Sequence, residues 1–312
     1  MTVKIKLQVA SRRLPVLQQN RAIRETFNFQ PATCNDRPAF SLIEVLVVVS
    51  LLSVIVLALM AVFTSTQRAF RASLTQTGVL EGSRATMELM AADLRTLTPS
   101  DVGGAVNFFV LANSDYSSSY QPLGQTLPGS SEPRENLLNY FFMLSRQNTK
   151  WIGIGYVVDN TNSSDLYPLY RFYGETNLQS NPYGLFNNFF QAVSSSQWGS
   201  MSHLMDGVVH LTARAYDTNG VWINNSPPVY TNNVLYASVS PAYGEAQFYM
   251  TSNMVPAAVE LELGVLEDRT LQRAESFPTT ALQTNYLSDK SGNVHVFRQR
   301  VSIPNVDPTA YQ

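Results

Sequence analysis

Cysteine is almost missing from this chain: its 312 residues hold one, Cys34. Everything after Cys34 must fold without an internal disulfide and without a Cys-ligated metal. Charge is also scarce, at 14% of residues against 45% hydrophobic, so a sizeable core is available and disorder is not the default. Recognisable chemistry is scarcer still. The sequence has no Gly-x-Ser-x-Gly nucleophile elbow, no phosphate-binding Gly-x-x-x-x-Gly-Lys-Ser/Thr loop, and no cysteine nucleophile beyond Cys34.

Histidine occurs three times, as His203, His210 and His295. His203, Asp206 and His210 are close in sequence, but a seven-residue step on a strand puts the two imidazoles on opposite faces. Asp206-Gly207 reads as a turn. Glu260 and Glu262 share a strand face and are expected to be solvated. Asp217-Thr-Asn-Gly220 is a fragment of a calcium loop without the distal glutamate, so a turn is expected there. The sequence therefore predicts no catalytic residue, no metal and no cofactor, and a protein that is not an enzyme.

One region is entirely free of charge. Every residue from Val45 to Gln67 is uncharged, and the stretch from Phe40 to Phe63 is apolar apart from Glu44 and a few hydroxyls. As a helix those residues would be about 36 Å long, enough to cross a hydrocarbon core of about 30 Å with some tilt. Residues 1–39 hold seven basic and two acidic residues, a net of +5, whereas residues 40–312 hold 14 and 21, a net of −7. A basic segment ahead of an apolar span stays in the cytoplasm, so the C-terminal portion is expected across the membrane. Arg68 and Arg71 oppose this bias but are outnumbered. The acidic balance of that portion argues against nucleic acid as a partner.

A secretory signal would have a shorter leader and a shorter apolar stretch, though Val56-Leu57-Ala58 could pass as its cleavage triplet. A plain anchor explains the span but leaves Glu44 without a purpose. A carboxylate within such a segment costs a few kcal/mol unless it finds a partner or the interface.

Beyond the span, Phe70, Leu74, Leu80, Met87, Met90, Leu94 and Leu97 recur at steps of three and four among charged residues. This predicts that the helix continues to about Thr98 with one buried stripe, is open to bending at Gly78 and Gly82, and ends at Pro99. The period then changes. Runs at 137–144, 151–158, 167–173, 208–216, 257–266 and 294–303 read as strands, with Asn219-Gly220 as a hairpin turn. Between them, 113–136, 176–202 and 224–254 read as long loops rich in Ser, Asn and Tyr, of a composition suited to protein or glycan contact.

The stretch Pro38-Ala39-Phe40-Ser41-Leu42-Ile43-Glu44-Val45 resembles the processing site of type IV prepilins and type II secretion pseudopilins. The resemblance covers Phe40 to about Leu97. It implies that a prepilin peptidase cuts between Ala39 and Phe40 and methylates the new amine of Phe40. The family normally has glycine before the cut, where this chain has Ala39. It also implies that Glu44, the fifth residue after the cut, sets register by pairing with the Phe40 amine of a neighbouring subunit.

Leu204–Val209, Ala213–Asp217, Pro256–Leu261 and Phe297–Val301 resemble, in that order, pieces of the J-class minor pseudopilin, and the nearest family resemblance is to Verru_Chthon cassette protein C. The implied fold is α+β: a long N-terminal helix packed on an antiparallel β-sheet head. The implied organisation is a basic leader at 1–39, a transmembrane helix at 40–67, an amphipathic extension at 68–98 and a β-rich head at 99–312. The implied partners are other pilin-like subunits, the peptidase and the inner membrane, with the head in the periplasm. The alternative is a membrane-anchored exported binding protein or enzyme acting outside a filament.

Overall fold

The computed structural model describes residues 40–112, 124–126, 133–159, 166–223, 234–239, 246–288 and 290–311. Ala39 and the rest of the basic leader lie outside the described residues. The chain divides into two compact units at Met60/Ala61. Helix α1 (Leu42–Arg95) begins in the first and ends in the second. In the first unit the apolar side chains from Leu42 to Met60 are exposed in every direction around the helix. A helix apolar all round needs a non-aqueous environment or a partner on each face.

In the second unit α1 is followed by β1 (Val106–Ala112), β2 (Gly124–Thr126), β3 (Pro133–Glu135), β4 (Asn139–Gln147), β5 (Lys150–Val158) and β6 (Leu169–Asn177). Then come α2 (Tyr183–Ser194), β7 (Ser202–Met205), β8 (Val208–Tyr216), β9 (Val234–Val239), β10 (Ala246–Thr251) and β11 (Ala258–Leu266). Helices α3 (Asp268–Glu275) and α4 (Thr280–Ser288) and strand β12 (Val294–Ser302) complete the order.

Seven strands form one antiparallel sheet in the order β7-β6-β5-β4-β1-β10-β9, and three form a second in the order β12-β11-β8. Strands β2 and β3 pair separately. The fold is thus α+β, a long N-terminal helix with antiparallel β-sheet, as the sequence predicts.

The helix joins this architecture by its last turns. Ser83, Thr86, Met87, Met90, Ala91 and Leu94 are buried, at the three- and four-residue spacing of one helix face, and Leu97, just past the helix end at Arg95, is buried and bridges Ser145. They share a core with Phe108, Phe141 and Tyr156 of the large sheet and Leu211, Val259 and Leu261 of the small one. The predicted stripe is too long at its N-terminal end. Phe70 is 64% exposed, whereas Val79 and Leu80 are half-buried and Val79 packs against the core. Backbone helix runs through Gly78 and Gly82 without a break.

The opposite face of the large sheet carries a second core, built with α2. Phe186 and Phe189 pack on Phe109 and Phe142. This explains the Trp-Ile-Gly-Ile-Gly-Tyr run of β5. Ile152, Ile154 and Tyr156 face the α1 core, while Trp151, Gly153 and Gly155 face α2. A Cβ on Gly153 would stand 2.9 Å from the Phe142 ring, and one on Gly155 would overlap the Phe189 ring. Burial on both faces is why β5 lacks a polar alternation.

The predicted loop at 176–202 is corrected by α2, whose Leu185, Phe186, Phe189 and Ala192 form a buried stripe at helical spacing. The loop predicted at 224–254 contains β9 and β10, and that at 113–136 contains β2 and β3. Strand β1, also missed, lies inside the large sheet between β4 and β10.

Candidate processing and assembly site

The residues flanking the predicted cut lie in the first unit and are described from Phe40 onward. Phe40 is 83% exposed and precedes the helix. Ser41 stands at the N-cap position. Its hydroxyl oxygen accepts the N–H of Glu44 at 3.3 Å, and its carbonyl accepts the N–H of Glu44 at 3.0 Å and of Val45 at 3.3 Å. In return Glu44 Oε2 accepts the Ser41 N–H at 3.1 Å and the Ser41 hydroxyl at 3.3 Å. This is a reciprocal capping box, in which a serine and a glutamate three residues on satisfy each other's backbone donors. The negative side chain in the first turn also complements the positive end of the helix dipole.

Glu44 therefore has a partner within its own chain. Its Oε2 atom is committed to the cap, while the exposed carboxylate keeps further acceptor capacity on Oε1. Sequence reasoning singled out Glu44 and missed Ser41. The signal was present: Ser-x-x-Glu ahead of an apolar run is the capping-box pattern.

From Leu42 to Arg71 the helix is long and apolar enough to cross a membrane. Four of its hydroxyl groups are satisfied within the helix. Ser50 donates to the Val47 carbonyl at 2.9 Å and Ser53 to the Val49 carbonyl at 2.8 Å. Thr64 and Thr66 donate likewise to Ala61 and Val62. Such back-bonding lets a hydroxyl sit in lipid without an orphan donor.

The other chemistry-bearing residues do not converge. His203 Nε2 lies 2.8 Å from Asp206 Oδ1 at the edge of the large sheet. His210 is buried in β8 of the small sheet, where its Nδ1 accepts the Leu137 N–H at 3.0 Å. Among the described residues no three His, Cys, Asp or Glu side chains could hold a metal together. Asp217 does form the predicted turn: its Oδ1 accepts the N–H of Asn219 at 2.9 Å and of Val221 at 2.7 Å, with Gly220 at φ 78°.

The expectation of a solvated Glu260–Glu262 face is overturned. Both residues are buried on the central strand of the small sheet. Arg298 reaches Glu260 at 2.6 Å, and Arg214 lies 3.9 Å from Glu260 and 3.7 Å from Glu262. Flanking strands supply these guanidinium groups from both sides, which the sequence of β11 alone cannot reveal. The hydrogen bond and charge of Glu260 push the Arg298 guanidinium up from its ordinary value.

A second ion-pair cluster, also missed, fixes α1 to the large sheet. Asp93 accepts Arg171 Nε at 2.8 Å and Nη2 at 3.1 Å, and accepts the Tyr156 hydroxyl at 2.5 Å. Burial first, and then the Asp93 charge, push the Tyr156 phenol well above its ordinary value. These contacts are structural. They hold the helix end and lie in the second unit, apart from the capped N-terminus in the first.

Residues 34–60 match the family model for the prokaryotic N-terminal methylation motif. No curated protein and no solved structure matches the chain. The matched segment contains Ala39, Phe40, the Ser41–Glu44 box and the first turns of the apolar helix. That motif and the one apolar N-terminal helix among the described residues support a prepilin-like protein anchored in a membrane by that helix.

Proposed function

We propose that this chain is a minor pseudopilin-like subunit of a type II secretion or type IV pilus-like filament. Its N-terminus lies in the cytoplasm, its helix in the inner membrane and its β-rich head in the periplasm. A prepilin peptidase removes residues 1–39 and methylates Phe40. The Glu44 carboxylate then pairs with the Phe40 amine of an adjacent subunit. The protein acts by assembly and carries no catalytic site.

The observation that carries this reading is the methylation motif ending in a helix whose first turn holds Glu44. Association in lipid gains little from apolar burial, since lipid tails are as apolar as leucine. Apolar packing therefore sets register poorly, and a charge pair at low dielectric sets it well. Support for the J-class resemblance comes from topology. Three of its four segments fall on β8, β11 and β12, which make up one sheet, and the fourth leads from β7 into β8.

The test is the mature N-terminus of the protein from its native membrane, read by sequencing or mass spectrometry. A start at methylated Phe40 is expected. An intact 39-residue leader refutes processing, and a start after Ala58 identifies an ordinary signal peptide.

A further inference from the structure

We propose that the cleft between α3, α4 and the turn before β12 binds a carboxylated sugar. The cleft has a volume of about 710 Å³, within the range of about 300–1,000 Å³ usual for small-ligand sites. Arg269 and Arg273 stand one turn apart on α3, and Lys290 faces them from the segment after α4. Glu267 is the one acidic side chain in the lining, and it lies 3.7 Å from His295. The local balance is positive in a portion of the chain whose net charge is −7.

Two of these three cations are held in place without being used up. The Arg273 guanidinium lies over the Phe277 ring at 5.4 Å from its centroid, and the Lys290 ammonium over Tyr286 at 5.3 Å. Cation–π contact positions a charge while leaving its hydrogen-bond donors free. Among the described residues, no carboxylate pairs with the Arg269, Arg273 or Lys290 side chain, and none of the three donates a hydrogen bond to a protein acceptor. The floor is rigid. Thr270 is 3% exposed, its hydroxyl accepts the Asn293 amide at 2.8 Å, and the Glu267 N–H bonds the Asn293 carbonyl at 2.9 Å.

A planar carboxylate matches the guanidinium fork. The rest of the lining is amide and hydroxyl, which suits a ligand bearing several hydroxyls better than an acidic peptide. A bare phosphate would engage the cations and ignore the remaining surface.

The test is calorimetric titration of the full chain in detergent with trigalacturonate, neutral galactotriose and inorganic phosphate. Trigalacturonate should bind, weaken as salt rises, and lose about tenfold in affinity on Arg269→Gln or Arg273→Gln, as for loss of a charge-assisted contact. Both arginines are exposed, so the variants should melt with the parent, and melting curves check that they fold. Absence of trigalacturonate binding overturns the proposal. So does equal binding of galactotriose, or an affinity that neither substitution changes. Phosphate binding as tight as trigalacturonate overturns the sugar and leaves only an anion site. None of these outcomes bears on the processing or assembly of the N-terminal helix.

Discussion

Glu44 carries two demands at once. Within the chain it closes the capping box with Ser41, and in the proposed filament it also meets a neighbour's amine. The two roles separate by substitution. Glu44→Gln keeps the acceptor for the Ser41 N–H and loses the charge. It should insert and be cleaved like the parent, yet fail to crosslink to partner subunits. Glu44→Leu should insert at least as well and assemble no better. Assembly by Glu44→Leu equal to the parent, measured by crosslinking in the native membrane, would reduce Glu44 to a helix cap. Ser41→Ala removes the cap alone, at about 1 kcal/mol of local helix stability, and should leave assembly largely in place. At the other end of the helix, Asp93 is the residue to remove. Its side chain is 13% exposed and that of Arg171 19%. Asp93→Ala leaves the guanidinium unpaired and should cost about 2–3 kcal/mol, below the about 3–5 of a fully buried pair. Tyr156 adds a pH dependence. Its phenol is raised in the fold by burial and by Asp93. The stability it contributes is complete below the unfolded value of about 10 and is lost as pH rises from there toward the raised folded value. Tyr156→Phe should flatten that alkaline loss in denaturant titrations.

At the scale of elements, α1 contributes to the head through few side chains. Met87, Met90 and Leu94 are buried in the one core that also holds residues of both sheets. Leu94→Ala should cost about 2–5 kcal/mol by urea unfolding, whereas Phe70→Ala, on the exposed part of the helix, should change head stability by less than about 0.5. Strand β5 is tuned for thinness on its α2 face. Gly155→Ala pushes on the Phe189 ring and should cost about 1–3 kcal/mol. The substitution tests whether α2 is docked on the sheet, because a free α2 would move aside at no cost. Helix α2 was hidden in the sequence by its Asn, Phe and Gln content, which reads as loop until the sheet beneath it supplies a partner. Strand β10 was hidden for a related reason: it sits in a stretch rich in Asn, Ser and Tyr that reads as loop until β1 and β9 pair with it on either side.

At the scale of the whole molecule, the head folds by packing and by its ion-pair clusters, since the only cysteine lies in the leader. A chain from about residue 70 to 312 should be soluble, give mixed helix and strand circular dichroism, and melt at the same temperature with or without reductant. Loss of the strand signal in a soluble product would contradict this. The span, the α+β class, most of the long strands and the Asp217 turn follow from sequence, because each rests on local period or turn chemistry that a short window contains. The Ser41–Glu44 box is equally local, three residues apart and readable from its pattern. The Asp93–Tyr156–Arg171 cluster, the pairing of Glu260 with Arg298, and the cleft of Arg269, Arg273 and Lys290 were decided by tertiary structure alone. Each joins residues whose separation in sequence is bridged only by strand register or helix docking. Burial of a charge depends on what the rest of the chain lays over it, and no window of sequence contains that.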